Sequence, residues 1–216
     1  LPSADARAVL QRERHGTLLV DVERKLDLYM QGLWQDHDHL VPYSTAFDEI
    51  RKPVPYYDKL GIRLPDVYDD LILPSAVLPS PASGRGTLKG IKVGGEGPPA
   101  GEGSVVISGL DRYRAVLAHV VGHRRWSEAQ VADNWSPFQR MAVEFFEDCR
   151  VETLLIREYP GLRRLFLALH PKPLETACDP ETTSCLRHRL AMLSRALLDP
   201  DHGYLDPDLN DFVARF

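Results

Sequence analysis

Two histidines, His119 and His123, stand four residues apart in LDRYRAVLAHVVGHRRW, and the carboxylates Glu144, Glu147, Asp148 and Glu152 follow in QRMAVEFFEDCRVE. An H-x-x-x-H spacing places two imidazoles on one face of a helix, which is zinc-ligand spacing. A carboxylate from the acidic stretch would complete a three-ligand set, so the candidate metal residues are His119, His123, Glu144 and Asp148, with Glu147 and Glu152 as alternatives. Zinc is the ion such a set takes. The alternative is that both histidines make polar contacts where two helices meet. Glu152 raises a separate question. At 100° per residue it falls within the stripe Phe138, Ala142, Phe145, Cys149 and Ile156, and Asp148 lies on its margin. A carboxylate that enters a core needs a cation, donors or a metal. Glu152 is therefore expected to be a structural buried charge, paired with a metal or with an arginine such as Arg112, Arg114 or Arg163. Cys178, Cys185 and His188 form a weaker constellation whose C-x6-C-x2-H spacing matches no common zinc pattern, so unpaired thiols are expected. No G-x-x-x-x-G-K-[ST] or G-x-S-x-G occurs, which argues against a phosphate cradle and a serine-hydrolase elbow.

The elements that must position these groups are mostly helices. Leu19, Val22, Leu26, Tyr29 and Leu33 recur at helical spacing, predicting a helix over 17–34 with Thr17 as N-cap. Ser108 is a suitable N-cap for a helix to about Arg125. Ser136, with Pro137 in the first turn and Gln139 completing a capping box, opens another to Glu158. Tyr159-Pro160-Gly161 stops it. A short helix is expected over 162–169, another over 181–198, and a last one over 205–216. Between 35 and 73 the periodicity is lost and Pro42, Pro53, Pro55 and Pro65 intervene, so ordered coil over a helical core is expected. Residues 74–104 hold eight Gly and five Pro in 31 positions, the composition of a flexible loop. A small β-hairpin, 87–93 with 104–108, is expected inside it. The predicted fold is mainly α: a single helical domain over 1–216, built around an antiparallel pair at 108–125 and 136–158, with Leu117, Val121, Phe138, Phe145 and Ile156 in its core.

Length and composition are those of a globular chain with one ordinary core: 216 residues, 44% hydrophobic and 26% charged. A net charge of −5 argues against broad phosphate-backbone binding, so no nucleic-acid partner is expected. No apolar run reaches 18 residues, so membrane insertion is not expected. The three cysteines are too few for a disulfide framework and suggest a reducing cytoplasm. The chain opens on Leu1 directly into helical pattern, as a portion of a longer protein would.

Two family resemblances bear on function. His119-Val-Val-Gly-His123, with Glu144 twenty-one residues on and Asp148 four beyond it, resembles the HExxH … ExxxD pattern of the gluzincin metallopeptidases. There the later glutamate is the third ligand and the aspartate orients a ligand histidine. Val120 stands where those enzymes keep their general-base glutamate, so the resemblance implies a structural or relic site rather than activated water. More extensively, ISGLDRYRAVLAHVVGHRRWS and QRMAVEFFEDCRVETLLIREYPGLRRLF resemble the NorD/CbbO family. The E-D-x-R-V-E block at Glu147–Glu152 and P-G-L-R-R at Pro160–Arg164 are the most specific parts, and GIRLPDVYDD (61–70) matches in style. That resemblance implies a cytoplasmic, non-enzymatic adaptor segment, amino-terminal or central, of a protein ending in a von Willebrand factor A domain. It implies a MoxR-type AAA+ ATPase ring as partner and a client enzyme such as Rubisco or nitric oxide reductase. The D-x-S-x-S cation motif of the A domain is absent from these 216 residues. A zinc-dependent hydrolase, or degenerate metallopeptidase-like domain, using His119 and His123 is the alternative.

Overall fold

The buried stripe Leu19, Val22, Leu26 and Met30 winds into helix α1 (Leu19–Trp34), as the periodicity predicts. The structure, a computed structural model, describes residues 16–44, 54–74, 104–131, 133–170, 172–178 and 185–216. Thr17 does not cap α1 as expected. It belongs to strand β1 (Thr17–Leu18), and Leu18 is the N-cap without a side-chain bond. The Leu19 amide, which has no partner within the helix, donates instead to the Asp66 carbonyl at 3.0 Å.

The stretch expected as coil contains strands. β2 (Leu40–Tyr43), β3 (Tyr56–Asp58) and β4 (Gly61–Pro65) form a sheet with β4 central, parallel to β2 and antiparallel to β3. Strands this short carry too few alternations to register as a period of two, and Pro42 sits on the edge strand, where a missing N–H is tolerated. Gly61 has φ +134°, and a Cβ there would stand 2.1 Å from the His39 carbonyl oxygen, so the turn into β4 requires glycine. β5 (Val67–Tyr68) pairs with β1. β6 (Leu71–Pro74) pairs antiparallel with β7 (Ser104–Ile107), bringing Pro74 opposite Ser104. The hairpin strand expected near residue 104 is thus present, with a different partner. The 87–93 arm and the rest of the expected loop lie outside the described residues.

Among the described residues five more helices follow: α2 (Gly109–Trp126), α3 (Pro137–Glu158), α4 (Leu162–Leu169), α5 (Leu186–Leu198) and α6 (Pro207–Arg215). Ser108 accepts from the Asp111 amide, and Ser136 with Gln139 makes the full capping box. The mainly α architecture is as expected. The core lies on both sides of α2. On one side Leu26, Met30, Ile62, Leu64, Tyr113 and Leu117 join α1 and β4 to α2, and the fully buried Tyr113 hydroxyl donates to the Pro65 carbonyl at 2.8 Å. On the other side Ala118, Val151, Leu155, Phe166 and Leu198 join α2 to α3, α4 and α5.

Two expectations about side chains are corrected. Leu117, Val121 and Ile156 are buried, but Phe138 is 60% exposed and Phe145 only half-buried. The end of α2 faces Glu147, where Ser127 bonds its carboxylate, so the first turns of α3 project past α2 and leave Phe138 uncovered. Cys178 and Cys185 are not free thiols. Their Cα atoms are 5.9 Å apart and they form a disulfide, a separation that suits one. His188 Nε2 donates elsewhere, to the Leu174 carbonyl at 2.8 Å, so these three residues form no metal site. No helix among the described residues is long and apolar enough to cross a membrane.

Candidate metal centre

Helices α2 and α3 meet at Gly122. A Cβ there would lie 2.6 Å from Val151 Cγ1 and 3.0 Å from Leu155 Cδ1, well inside normal carbon contact, so glycine allows the two helices to approach this closely. Across the seam the pairing order runs His119 with Glu152, His123 with Asp148, and Ser127 with Glu147. Rising numbers on one helix meet falling numbers on the other, so the pair is antiparallel, as predicted.

Three ligand-type atoms converge. His119 Nε2 and His123 Nε2 are 3.0 Å apart, His123 Nε2 is 3.1 Å from Asp148 Oδ1, and His119 Nε2 is 3.5 Å from the same oxygen. Among the described residues these three form the group able to hold a metal. Behind each imidazole stands a further carboxylate. His119 Nδ1 is 3.2 Å from Glu152 Oε1. His123 Nδ1 is 2.8 Å from Ser127 Oγ, whose hydroxyl donates to Glu147 Oε1 at 2.5 Å. Arg150 clamps Glu147 through two bonds of 2.6 and 2.8 Å and donates to the Trp126 carbonyl at 2.7 Å.

The candidate residues therefore divide. Asp148, expected from the gluzincin pattern to orient a histidine, stands in the ligand position. Glu144, expected as a ligand, is exposed and only lines the neighbouring cleft. Glu152 is buried at 7% exposure, as expected, but its partners are imidazoles, and no arginine among the described residues pairs with it. Arg112 donates to the Asp69 carbonyl and stacks on Tyr68, Arg114 pairs with Asp111, and Arg163 reaches the Leu198 carbonyl. His170, at the end of α4, is the second partner, and sequence reasoning missed it. Its Nε2 lies 2.8 Å from Glu152 Oε2 but out of line for a hydrogen bond, leaving Oε2 buried without a donor. No spacing relates residue 170 to the helix pair, because α4 and the turn before it bring it back. Ser127, also missed, does carry a signal, since it sits four residues after His123.

Electrostatics follow from this packing. Burial works to lower the His119 pKa, but Asp148 and Glu152 together outweigh it and raise the imidazole to about 9. Burial works to raise Asp148 and Glu152, yet the histidines hold both carboxyls below their ordinary range. The Arg150 bonds lower Glu147 to about 2. Cys149, beside this cluster, is pushed up to about 12 by burial.

His119, Asp148, Glu152, His170 and Glu144 line a half-open cleft of about 570 Å³, with Val120 contributing an isopropyl group. A cleft of about 710 Å³ between α1, α2 and the α3–α4 turn is larger, but among the described residues it holds no cluster of metal-ligand atoms, and its Asp111 and Arg114 neutralise each other at 3.0 Å. The first cleft has the chemistry. Comparison with protein families, with curated proteins and with solved structures finds no match to the chain.

Proposed function

We propose that the chain is a non-enzymatic adaptor segment that works with a MoxR-type AAA+ ATPase ring to remodel or activate a client enzyme, such as Rubisco or nitric oxide reductase. The reading rests on the NorD/CbbO resemblance, and one structural observation supports it. The charged side chains of the Glu147–Glu152 block, which carries the most specific part of that resemblance, all serve to join helices: Glu147 and Arg150 reach the end of α2, Asp148 reaches its histidines, and Glu152 reaches His119 and His170. Such a block builds a rigid scaffold. In addition, Val120 borders the cleft where a general base would be needed. The test is reconstitution with the partner ATPase. Stimulated ATP hydrolysis and co-elution are expected, and an ATPase that neither binds nor responds to the chain would count against the adaptor reading.

The hydrolase reading keeps one observation in its favour, the exposed Glu144 that lines the same cleft as His119 and Asp148. A zinc-dependent turnover that disappears in Glu144→Gln would make it the better reading. Cytoplasmic residence belongs to the adaptor reading as well. Disulfides are uncommon there, so that location predicts that Cys178 and Cys185 are thiols in cell extracts alkylated at lysis. A disulfide recovered from such extracts would place the chain in an oxidising compartment.

A further inference from the structure

The hydrogen-bond partners around the histidines determine where their protons sit. An ionised carboxylate only accepts, so His119 Nδ1 carries the proton it shares with Glu152 Oε1, and in the neutral ring Nε2 holds a lone pair. Ser127 commits its hydroxyl hydrogen to Glu147, so its oxygen accepts from His123 Nδ1, and His123 Nε2 likewise holds a lone pair. Two lone pairs and the Asp148 Oδ1 oxygen then face one another across 3.0, 3.1 and 3.5 Å. Three acceptors at that distance repel unless a cation lies between them.

A proton on His119 is one such cation. A divalent ion satisfies all three atoms together. Ligands about 2.0–2.1 Å from a tetrahedral centre are roughly 3.3 Å apart, which is the mean scale of the observed triangle. An ion about 2.0–2.1 Å from all three atoms lies roughly 0.9 Å out of their plane, close to the geometry of one face of a tetrahedron. The carboxylate behind each imidazole is the usual companion of a metal-bound histidine, and Glu152 is itself more than nine-tenths buried with Oε2 lacking a donor. His119 and Asp148 line the cleft and His123 does not, so the edge of the triangle between those two residues borders the cleft.

We propose that His119, His123 and Asp148 bind one zinc-class divalent cation whose fourth coordination position opens into the cleft and accepts water or a small anion. Glu152 and the Ser127–Glu147 relay position the ligands, and Glu144 is not part of the site. The assignment is independent of the adaptor reading, since a partner ATPase has no role in it.

The test is metal analysis of the full chain, purified without a histidine tag and dialysed with zinc and then without it. One zinc per chain is expected. His119→Ala and Asp148→Asn should each weaken zinc binding more than tenfold, Glu152→Gln by about 10–100-fold, and Glu144→Gln not at all. Circular dichroism of the metal-free variants checks folding, and the half-exposed Asp148 makes Asp148→Asn the variant expected to fold normally. With cobalt(II) in place of zinc, the visible spectrum should be four-coordinate, free of a thiolate band, and altered by azide. Sub-stoichiometric zinc, full affinity in Asp148→Asn, loss of zinc in Glu144→Gln or a thiolate band would each overturn the ligand set. A cobalt spectrum indifferent to azide would overturn the open position.

Discussion

Replacing Glu152 tests how the buried carboxylate is held. In Glu152→Ala the 3.2 Å bond to His119 and the 2.8 Å contact with His170 are both lost. Breaking a buried ion pair from one side costs about 3–5 kcal/mol. Here the orphaned partners are imidazoles, which can shed a proton, and the cleft admits water beside them, so the lower end, about 3 kcal/mol, applies. Glu152→Gln keeps the volume and an oxygen for His119 Nδ1. Its amide would face His170 Nε2, which can accept once the side chains rotate into line and the His170 proton moves to Nδ1, 2.6 Å from Ser194 Oγ. That exchange of partners reduces the cost to about 1 kcal/mol. For a chain of this length 1 kcal/mol shifts the Tm by roughly 2–4 °C. Calorimetry at pH 7 in chelator, which isolates the metal-free protein, should show a fall of about 6–12 °C for Glu152→Ala and about 2–4 °C for Glu152→Gln. An unchanged Tm in Glu152→Ala would refute the buried pairing, and equal falls in both variants would refute the proton shift at His170.

Gly122→Val would place side-chain atoms where Val151 and Leu155 already lie, an overpacking cost of about 1–3 kcal/mol by thermal melting, and adding Val151→Ala should recover part of it; a lone Gly122→Val that melts like wild type would mean that the helices part freely. Once the protein is purified and air-oxidised, thiol titration of the folded chain should find no reactive group, because Cys149 is buried with a raised pKa and the other two cysteines are disulfide-bonded. Unfolding should expose one thiol (3 − 2 = 1), and reduction should expose all three. Glu147 is held at about 2 against an ordinary 4.5, so the folded state binds this proton less readily than the unfolded chain. Its contribution to stability is complete above 4.5 and lost as the pH falls toward 2, so Glu147→Gln should flatten the acid limb of a Tm–pH curve, and a limb as steep as wild type would exclude that linkage.

What could be read from the sequence was what depends on local spacing. The capping box at Ser136–Gln139, the stop at Tyr159-Pro160-Gly161 and the four-residue step from His119 to His123 are properties of single helices, and all appear where the pattern puts them. The assignment of roles among the carboxylates was less accessible. Periodicity placed Asp148 on the margin of the apolar stripe, but whether it or Glu144 faces the histidines depends on the rotation of α3 against α2, which Gly122, Val151 and Leu155 fix by contact. Phe138 was misjudged for a related reason, since a stripe does not reveal where its neighbour ends. His170 and the β2–β4 pairing depend on chain returns over long separations, for which one sequence carries no local signal.

The pairing of Pro74 with Ser104 has a consequence for how the protein can vary. Opposed residues on neighbouring strands have Cα atoms only about 4.5–5.5 Å apart, so Pro74 and Ser104 are adjacent points of one ladder. Loop-closure entropy grows slowly, by about 0.6 kcal/mol per doubling of length. Changing the number of residues between these two anchors is therefore expected to leave the register of β6 and β7, and the N-cap of α2 immediately after them, nearly unaffected. The β6–β7 base is thus the place where sequence could be exchanged in the laboratory, with circular dichroism and zinc binding expected to stay as in the wild type, because His119 and His123 lie on the helix beyond it.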